Sequence, residues 1–260
     1  MIDPIKHFNY QRRQQISNYS EDLEFSKKSL EWVEASMRRR YVYNFDWLGR
    51  PIIQYPQDIV ALQELIWSTR PDLIIETGIA HGGSLIMSAS MLAMLDMCDA
   101  IESNQSFNPR NSQRKVLGLD IDIRVHNLEA IKAHPMSSRI QMIQGSSISS
   151  EVIEKVRYIA SEYKKILVCL DSNHTHEHVL AELYAYAPLV SKDSYCIVFD
   201  TFVEDVPADL FPDRPWAPGN NPKTAVREYL KVHSEFEVDH SITNKLMITV
   251  APEGFLKRVK

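Results

Sequence analysis

Cysteine is scarce in this chain, with three residues, Cys98, Cys169 and Cys196, among 260. Their number is odd and none stands in Cys-x-x-Cys spacing, so no disulfide framework is indicated. Reduced, buried thiols and a cytoplasmic location are the expectation. Positive charge is not in excess either. A net charge of −5 and a pI near 6.0 lack the basic footprint of a nucleic-acid binder. No apolar run approaches the roughly 18 residues of a membrane span, so no transmembrane segment is expected. The opening Met1-Ile2-Asp3-Pro4-Ile5-Lys6 lacks the apolar core of a signal peptide. Repeats and low-complexity tracts are missing too.

Apolar residues make up 44% of the chain, enough for one large α/β domain with a full core. Two parts are expected: a helical N-terminal arm over residues 1–50 and the main domain over 51–260. The arm is polar and charge-rich, with a helix predicted around Glu21 to Arg40. Its run Met37-Arg38-Arg39-Arg40 suits a solvated helix end, where cations oppose the dipole, or a contact with phosphates or an anionic membrane. The aromatic stretch Tyr43 to Pro51 either lines a pocket or pins the arm. Pro56 opens a predicted helix, Gln57 to Ser68, with Ile59, Leu62, Leu65 and Ile66 on one face. Strands and helices then alternate. Strands are predicted at 73–76, 115–119, 140–144, 166–170, 195–199 and 246–250. Helices are predicted at 84–97, 125–133, 150–163, 176–187 and 224–233. Near-continuous apolar strands between helices indicate a doubly wound, mostly parallel sheet. Met87, Met91, Met94 and Met97 form a stripe on the first core helix and read as core packing.

The first strand runs into Glu76-Thr77-Gly78-Ile79-Ala80-His81-Gly82-Gly83-Ser84. A glycine turn opening a helix exposes backbone N–H groups and a positive dipole end to a ligand. In open α/β sheets ligands bind beyond the carboxyl ends of the strands. The second strand ends there in Asp120, able to accept hydrogen bonds from both ribose hydroxyls. The third ends in Gln144-Gly145-Ser146-Ser147, suited to border a base. Asp122 reads as a helix cap. The spacing Glu-x-Gly-x-x-x-Gly-Gly-Ser resembles motif I of the class I S-adenosylmethionine-dependent methyltransferases. That resemblance implies a Rossmann-like methyltransferase fold, with a seven-stranded sheet closed by an antiparallel C-terminal strand. It also implies S-adenosylmethionine as cofactor. Glu76, Gly78, Ala80, Gly82 and Ser84 would shape the methionine pocket and Asp120 would hold the ribose, with Ser146 and Asp171 also on the cofactor.

The fourth strand delivers Asp171-Ser172-Asn173-His174-Thr175-His176-Glu177-His178 to the mouth of the sheet, and the fifth delivers Asp200. His-x-His spacing fits a zinc site, or simply solvated histidines at a helix start. If the strands are neighbours, Asp171 and Asp200 converge. Two such carboxylates call for a cation or proton between them, and oxygen ligands suit Mg²⁺. Such an ion favours ionisation of a substrate hydroxyl, and His174 is the candidate base, with Asp171 beside it as catalytic. Together the turn and Leu170-Asp171-Ser172-Asn173-His174-Thr175-His176 resemble the cephalosporin hydroxylase / rhamnosyl O-methyltransferase family over about residues 45–205. The family's Asp-x-x-His element lands on Asp171 and His174. Its adjacent acids at the fifth strand are reduced to Asp200, because Phe199 stands in the first position. Thr201, Asn173 or His176 would complete the metal shell, or the enzyme would be metal-independent.

A proline- and aspartate-rich loop follows, about residues 202–222, expected to act as a substrate lid. Trp216 suits a sugar platform and Arg214 a phosphate or carboxylate; His176 and Thr201 complete the expected substrate contacts. The chain then reads as a helix and a β-hairpin. The activity implied is O-methylation of a sugar hydroxyl by S-adenosylmethionine with Mg²⁺. The acceptor would be a small molecule or glycan, and the protein a homo-oligomer. A hydroxylase, as the family name suggests, and a non-catalytic cofactor-binding module are the alternatives.

Overall fold

A computed structural model describes residues 3–260. Met1 and Ile2, which the sequence reading places in the arm, lie outside the described residues. The arm holds two helices, α1 (Pro4–Tyr19) and α2 (Leu23–Arg38), each opened by an aspartate whose carboxylate accepts first-turn N–H bonds: Asp3 from Ile5, Asp22 from Phe25. Sequence reasoning finds only the second. No residue of α1 is buried, so it carries no apolar period to detect.

The aromatic stretch forms a short hairpin, β1 (Phe45–Trp47) and β2 (Arg50–Ile52). Leu48 and Gly49 turn it with φ of 46° and 83°, as a primed two-residue turn requires. It serves both expected roles. The Trp47 indole donates to Ser90 at 3.0 Å and Tyr41 packs edge-on against Trp32, while Tyr43 and Pro51 face the main cavity. The hairpin spans the boundary expected near residue 50, so the arm runs into the domain without a linker.

From there the alternation holds: α3 (Pro56–Thr69), β3 (Leu73–Thr77), α4 (Gly83–Glu102), β4 (Lys115–Asp120), α5 (Val125–Ala133), β5 (Ile140–Gln144), α6 (Ser150–Ala160), β6 (Ile166–Leu170), α7 (His176–Tyr186), β7 (Tyr195–Val198), α8 (Pro222–Tyr229), β8 (Phe236–Val238), α9 (His240–Leu246) and β9 (Phe255–Arg258). The seven-stranded sheet has the order β5-β4-β3-β6-β7-β9-β8, with β9 antiparallel to both its neighbours and the rest parallel. Period-two alternation divides the strand side chains between two cores. Ile74, Val116, Cys169 and Ile197 face α3, α4 and the arm; Ile75, Leu117, Val168 and Val198 face α6, α7 and α8. The helix α4 is long and apolar enough to cross a membrane by composition, yet Leu85, Ile86, Met87, Ala89, Leu92 and Leu95 are buried against the sheet. In its methionine stripe Met87 is buried and Met91 packs on the core, but Met94 is exposed.

The strand expected at 246–250 does not form. The Asp239 carboxylate caps α9, which carries the chain to Leu246, and β9 takes the place beside β7. The intervening apolar run packs on the core as a loop, fastened at buried Asp58 of α3. That carboxylate accepts from the Thr249 hydroxyl and, at 3.0 Å, from the Val250 N–H. The edge strand β8 pairs antiparallel with β9, but α9 separates them, so they are no tight hairpin.

Candidate active site

The turn from β3 into α4 is held from three sides. Asp120, at the end of β4, accepts the N–H groups of Ile79 (2.8 Å) and Ala80 (3.3 Å) on one carboxylate oxygen and that of Asp122 (3.0 Å) on the other. Arg50 donates to the His81 carbonyl, and Asn127, itself held by Arg50, donates to that of Ala80. These bonds fix a backbone with φ of 88° at Gly78, 46° at Ala80 and 82° at Gly82. Behind the turn, Glu76 is buried and accepts from the Ser84 hydroxyl. Asp122 is not a cap; α5 starts after Arg124 with no side-chain bond. If Asp120 holds the ribose, as the resemblance to motif I implies, replacing it by alanine should weaken S-adenosylhomocysteine binding by about 1–3 kcal/mol, the scale of a lost charge-assisted bond. Titration calorimetry reads this directly; an unchanged affinity would place Asp120 away from the ribose.

Burial pushes the carboxyls of Asp58 and Glu76 each up to about 7, against the pull of their hydrogen bonds. In the unfolded chain both return to the ordinary carboxylate range near 4. Between those values the native state binds more protons, so its stability falls as pH rises from about 4 to about 7 and then levels off. Melts of the ligand-free protein should therefore lose Tm from pH 5 to pH 7.5, and Asp58→Asn should flatten the slope. A Tm that climbs over this interval would contradict the protonated native state.

The ends of β6 and β7 meet as the sequence suggests. Potential ligand atoms of Asp171, His174 and Asp200 all lie within 4.8 Å of one another. The His174 Nε2 is 3.0 Å from an Asp200 oxygen, and its ring sits edge-on to Trp216 at 4.7 Å. Asp200 reaches this position through a left-handed backbone, φ 56°. The Asp171 carboxylate accepts from the Gln54 amide at 3.1 Å, and its N–H donates to the Thr77 carbonyl at 3.0 Å. Burial, then Asp200, then Glu76 push the Asp171 carboxyl well above its ordinary range. A proton or a cation in the cluster relieves that repulsion.

One cavity of about 750 Å³ joins the turn to this cluster. Gly78, Ala80, Ser84, Asp120, Asp171, His174, Asp200, Arg214 and Trp216 all line it. Gly82 lies beneath the turn against Ile131, and Ser146 lies off the cavity, its carbonyl bound by Ser149. Two expected substrate contacts are corrected. His176 points away to Thr224 (2.8 Å) and Glu228 (3.3 Å), because it is the first residue of α7 and faces α8. Thr201 is fully buried and donates to the Pro252 carbonyl at 2.7 Å. Neither completes a metal shell, nor does Asn173, whose side-chain oxygen accepts from Thr175. His178 turns to Ser147, Ser172 and Glu182, so the histidines do not converge and the zinc reading fails. Phe199 is buried in the core. Sequence reasoning missed Gln54, which carries no motif, and left Arg40 and Tyr43 of the arm undecided; all three line the cavity.

A family model described as Rhamnosyl O-methyltransferase/CmcI matches residues 39–259. A rhamnosyl O-methyltransferase of Mycobacterium bovis (strain BCG / Pasteur 1173P2) is 29% identical over 203 residues, covering 77% of this chain and 73% of the relative. One of Mycobacterium leprae (strain TN) is 28% identical over 214 residues, 82% of each. Among solved structures, CmcI with Mg and SAM superposes with a TM-score of 0.55 at 18% identity, over 84% of this chain and 78% of that one. At that identity the likeness speaks for the fold.

Proposed function

We propose that this chain, which belongs to the rhamnosyl O-methyltransferase/CmcI family, transfers a methyl group from S-adenosylmethionine to a sugar hydroxyl with Mg²⁺ assisting. One observation carries the reading: a single cavity runs from the glycine turn and Asp120 to the Asp171–His174–Asp200 cluster. The two carboxylates, Asp171 and Asp200, suit a hard divalent ion, and with one imidazole beside them the cluster lacks the second histidine of an iron hydroxylase's 2-His-1-carboxylate set. Bound there, Mg²⁺ favours ionisation of a nearby hydroxyl, and S-adenosylmethionine supplies an electrophilic methyl group.

The chain's own residues do the rest. Asp120 and the turn bind and orient the cofactor. His174 takes the hydroxyl proton, held for that task by Asp200; an imidazole that donates to Asp200 from Nε2 keeps its lone pair on Nδ1. Phe202, Val203, Phe211 and Trp216 wall the cavity with apolar surface that excludes water. Three free cysteines fit a cytoplasmic setting. Calorimetry with S-adenosylhomocysteine, with and without Mg²⁺, followed by methyl transfer to rhamnosides, tests the reading. No binding under either condition overturns it. Binding without turnover on any glycan acceptor favours the non-catalytic module.

A further inference from the structure

The cavity changes sign from floor to mouth. Asp120, Asp171 and Asp200 stand on its floor, at the carboxyl ends of β4, β6 and β7. Arg40 and Arg214 line its mouth, and both are exposed. They come from outside the sheet, Arg40 from the turn after α2 and Arg214 from the proline-rich loop after β7. Each guanidinium lies over an aromatic ring: Arg40 at 4.7 Å from the centre of Tyr43, Arg214 at 5.2 Å from that of Trp216. Among the described residues, neither has a carboxylate within 4.0 Å. Their neighbour Arg38 contrasts, since Glu34 (2.9 Å) and Asp209 (3.4 Å) take up its charge.

A guanidinium stacked on a ring keeps its donor edge free, and that planar edge matches a phosphate in bidentate fashion. The Trp216 ring under Arg214 is the same ring that meets His174 edge-on. An anion at Arg214 is thus one aromatic ring removed from the candidate base, the reach of a single phosphorylated sugar. We propose that the acceptor carries a phosphate, held by Arg40 and Arg214 while its sugar hydroxyl meets His174. The inference rests on the sugar O-methyltransferase reading above. A nucleoside diphosphate sugar and a lipid-linked glycosyl phosphate share this chemistry.

The test titrates the full chain, with and without saturating S-adenosylhomocysteine and Mg²⁺, using four probes. These are methyl rhamnoside, rhamnose 1-phosphate, a nucleoside diphosphate rhamnose, and rhamnose on a short-chain prenyl diphosphate. The phosphorylated probes should bind at least tenfold tighter than the methyl glycoside. Added salt should shrink that advantage. The double variant Arg40→Gln/Arg214→Gln should abolish it while S-adenosylhomocysteine affinity stays within twofold. Tighter binding of the nucleotide or of the prenyl probe identifies the source of the phosphate. Equal affinity for neutral and phosphorylated sugars, or no binding of any phosphorylated probe, overturns the proposal. So does a double variant that loses S-adenosylhomocysteine, since the arginines would then serve the cofactor's carboxylate. Failure of the unaltered protein to bind S-adenosylhomocysteine sinks the methyltransferase reading instead, and the cofactor-free titrations still score the arginines.

Discussion

His174→Ala is expected to lower methyl transfer by about 10²–10⁴-fold, the range for loss of a general base, with S-adenosylhomocysteine affinity intact. The imidazole is placed by contacts on two sides, Asp200 at Nε2 and the ring of Trp216, and neither belongs to the turn or to Asp120. Its removal therefore leaves the turn and Asp120 undisturbed. Single-turnover rates with saturating cofactor give the measurement, and full activity in the variant would remove His174 from the chemistry. The same variant separates two jobs. A base leaves Mg²⁺ affinity unchanged when deleted, whereas a ligand takes part of that affinity with it. His176→Ala is the matching control, because His176 points to α8 and its loss should spare turnover.

Gly78→Ala should be the most damaging single methyl group in the protein. A Cβ at this position would overlap the backbone carbonyl of Asp171, which cannot retreat because the Asp171 N–H is tied to Thr77. The residue also sits at φ 88°, a left-handed backbone that costs a non-glycine residue about 1–2 kcal/mol. Forced separation of two packed strand ends adds about 1–3 kcal/mol. In a domain of this size each kcal/mol lowers Tm by roughly 2–4 °C. Differential scanning fluorimetry reads that loss, and calorimetry should show cofactor binding reduced more than tenfold, since the turn and Asp171 shift together. A variant with wild-type Tm and affinity would mean that the two strand ends are not in contact.

Much of this architecture is legible in the chain because the core elements are local. Five parallel strands are short apolar runs bounded by acids or glycines, and α5 is recovered to the residue. The site follows from the same rule, since Asp120, Asp171 and Asp200 each close or follow a strand. What escapes the sequence is tertiary. The apolar run at 246–250 reads as a strand, but its partner is the Asp58 carboxylate, far away in the chain. His176 stands beside His174 in the pattern, and only the start of α7 decides that it faces the other way. Gln54 has no signature at all; it matters because the chain leaving β2 brings its amide to the Asp171 carboxylate. Helix α1 is invisible because it buries nothing.

The division of the cavity into floor and mouth has a consequence for how such an enzyme can change. The floor belongs to strand ends locked by sheet hydrogen bonds and by a glycine that admits no side chain. The mouth belongs to a helix end and a loop, separated by some 170 positions of chain. Mutations at Arg40, Tyr43, Phe211 or Arg214 can alter what enters without disturbing where the methyl donor rests. New acceptors are thus within reach of a few surface substitutions, whereas the donor is fixed by the backbone itself.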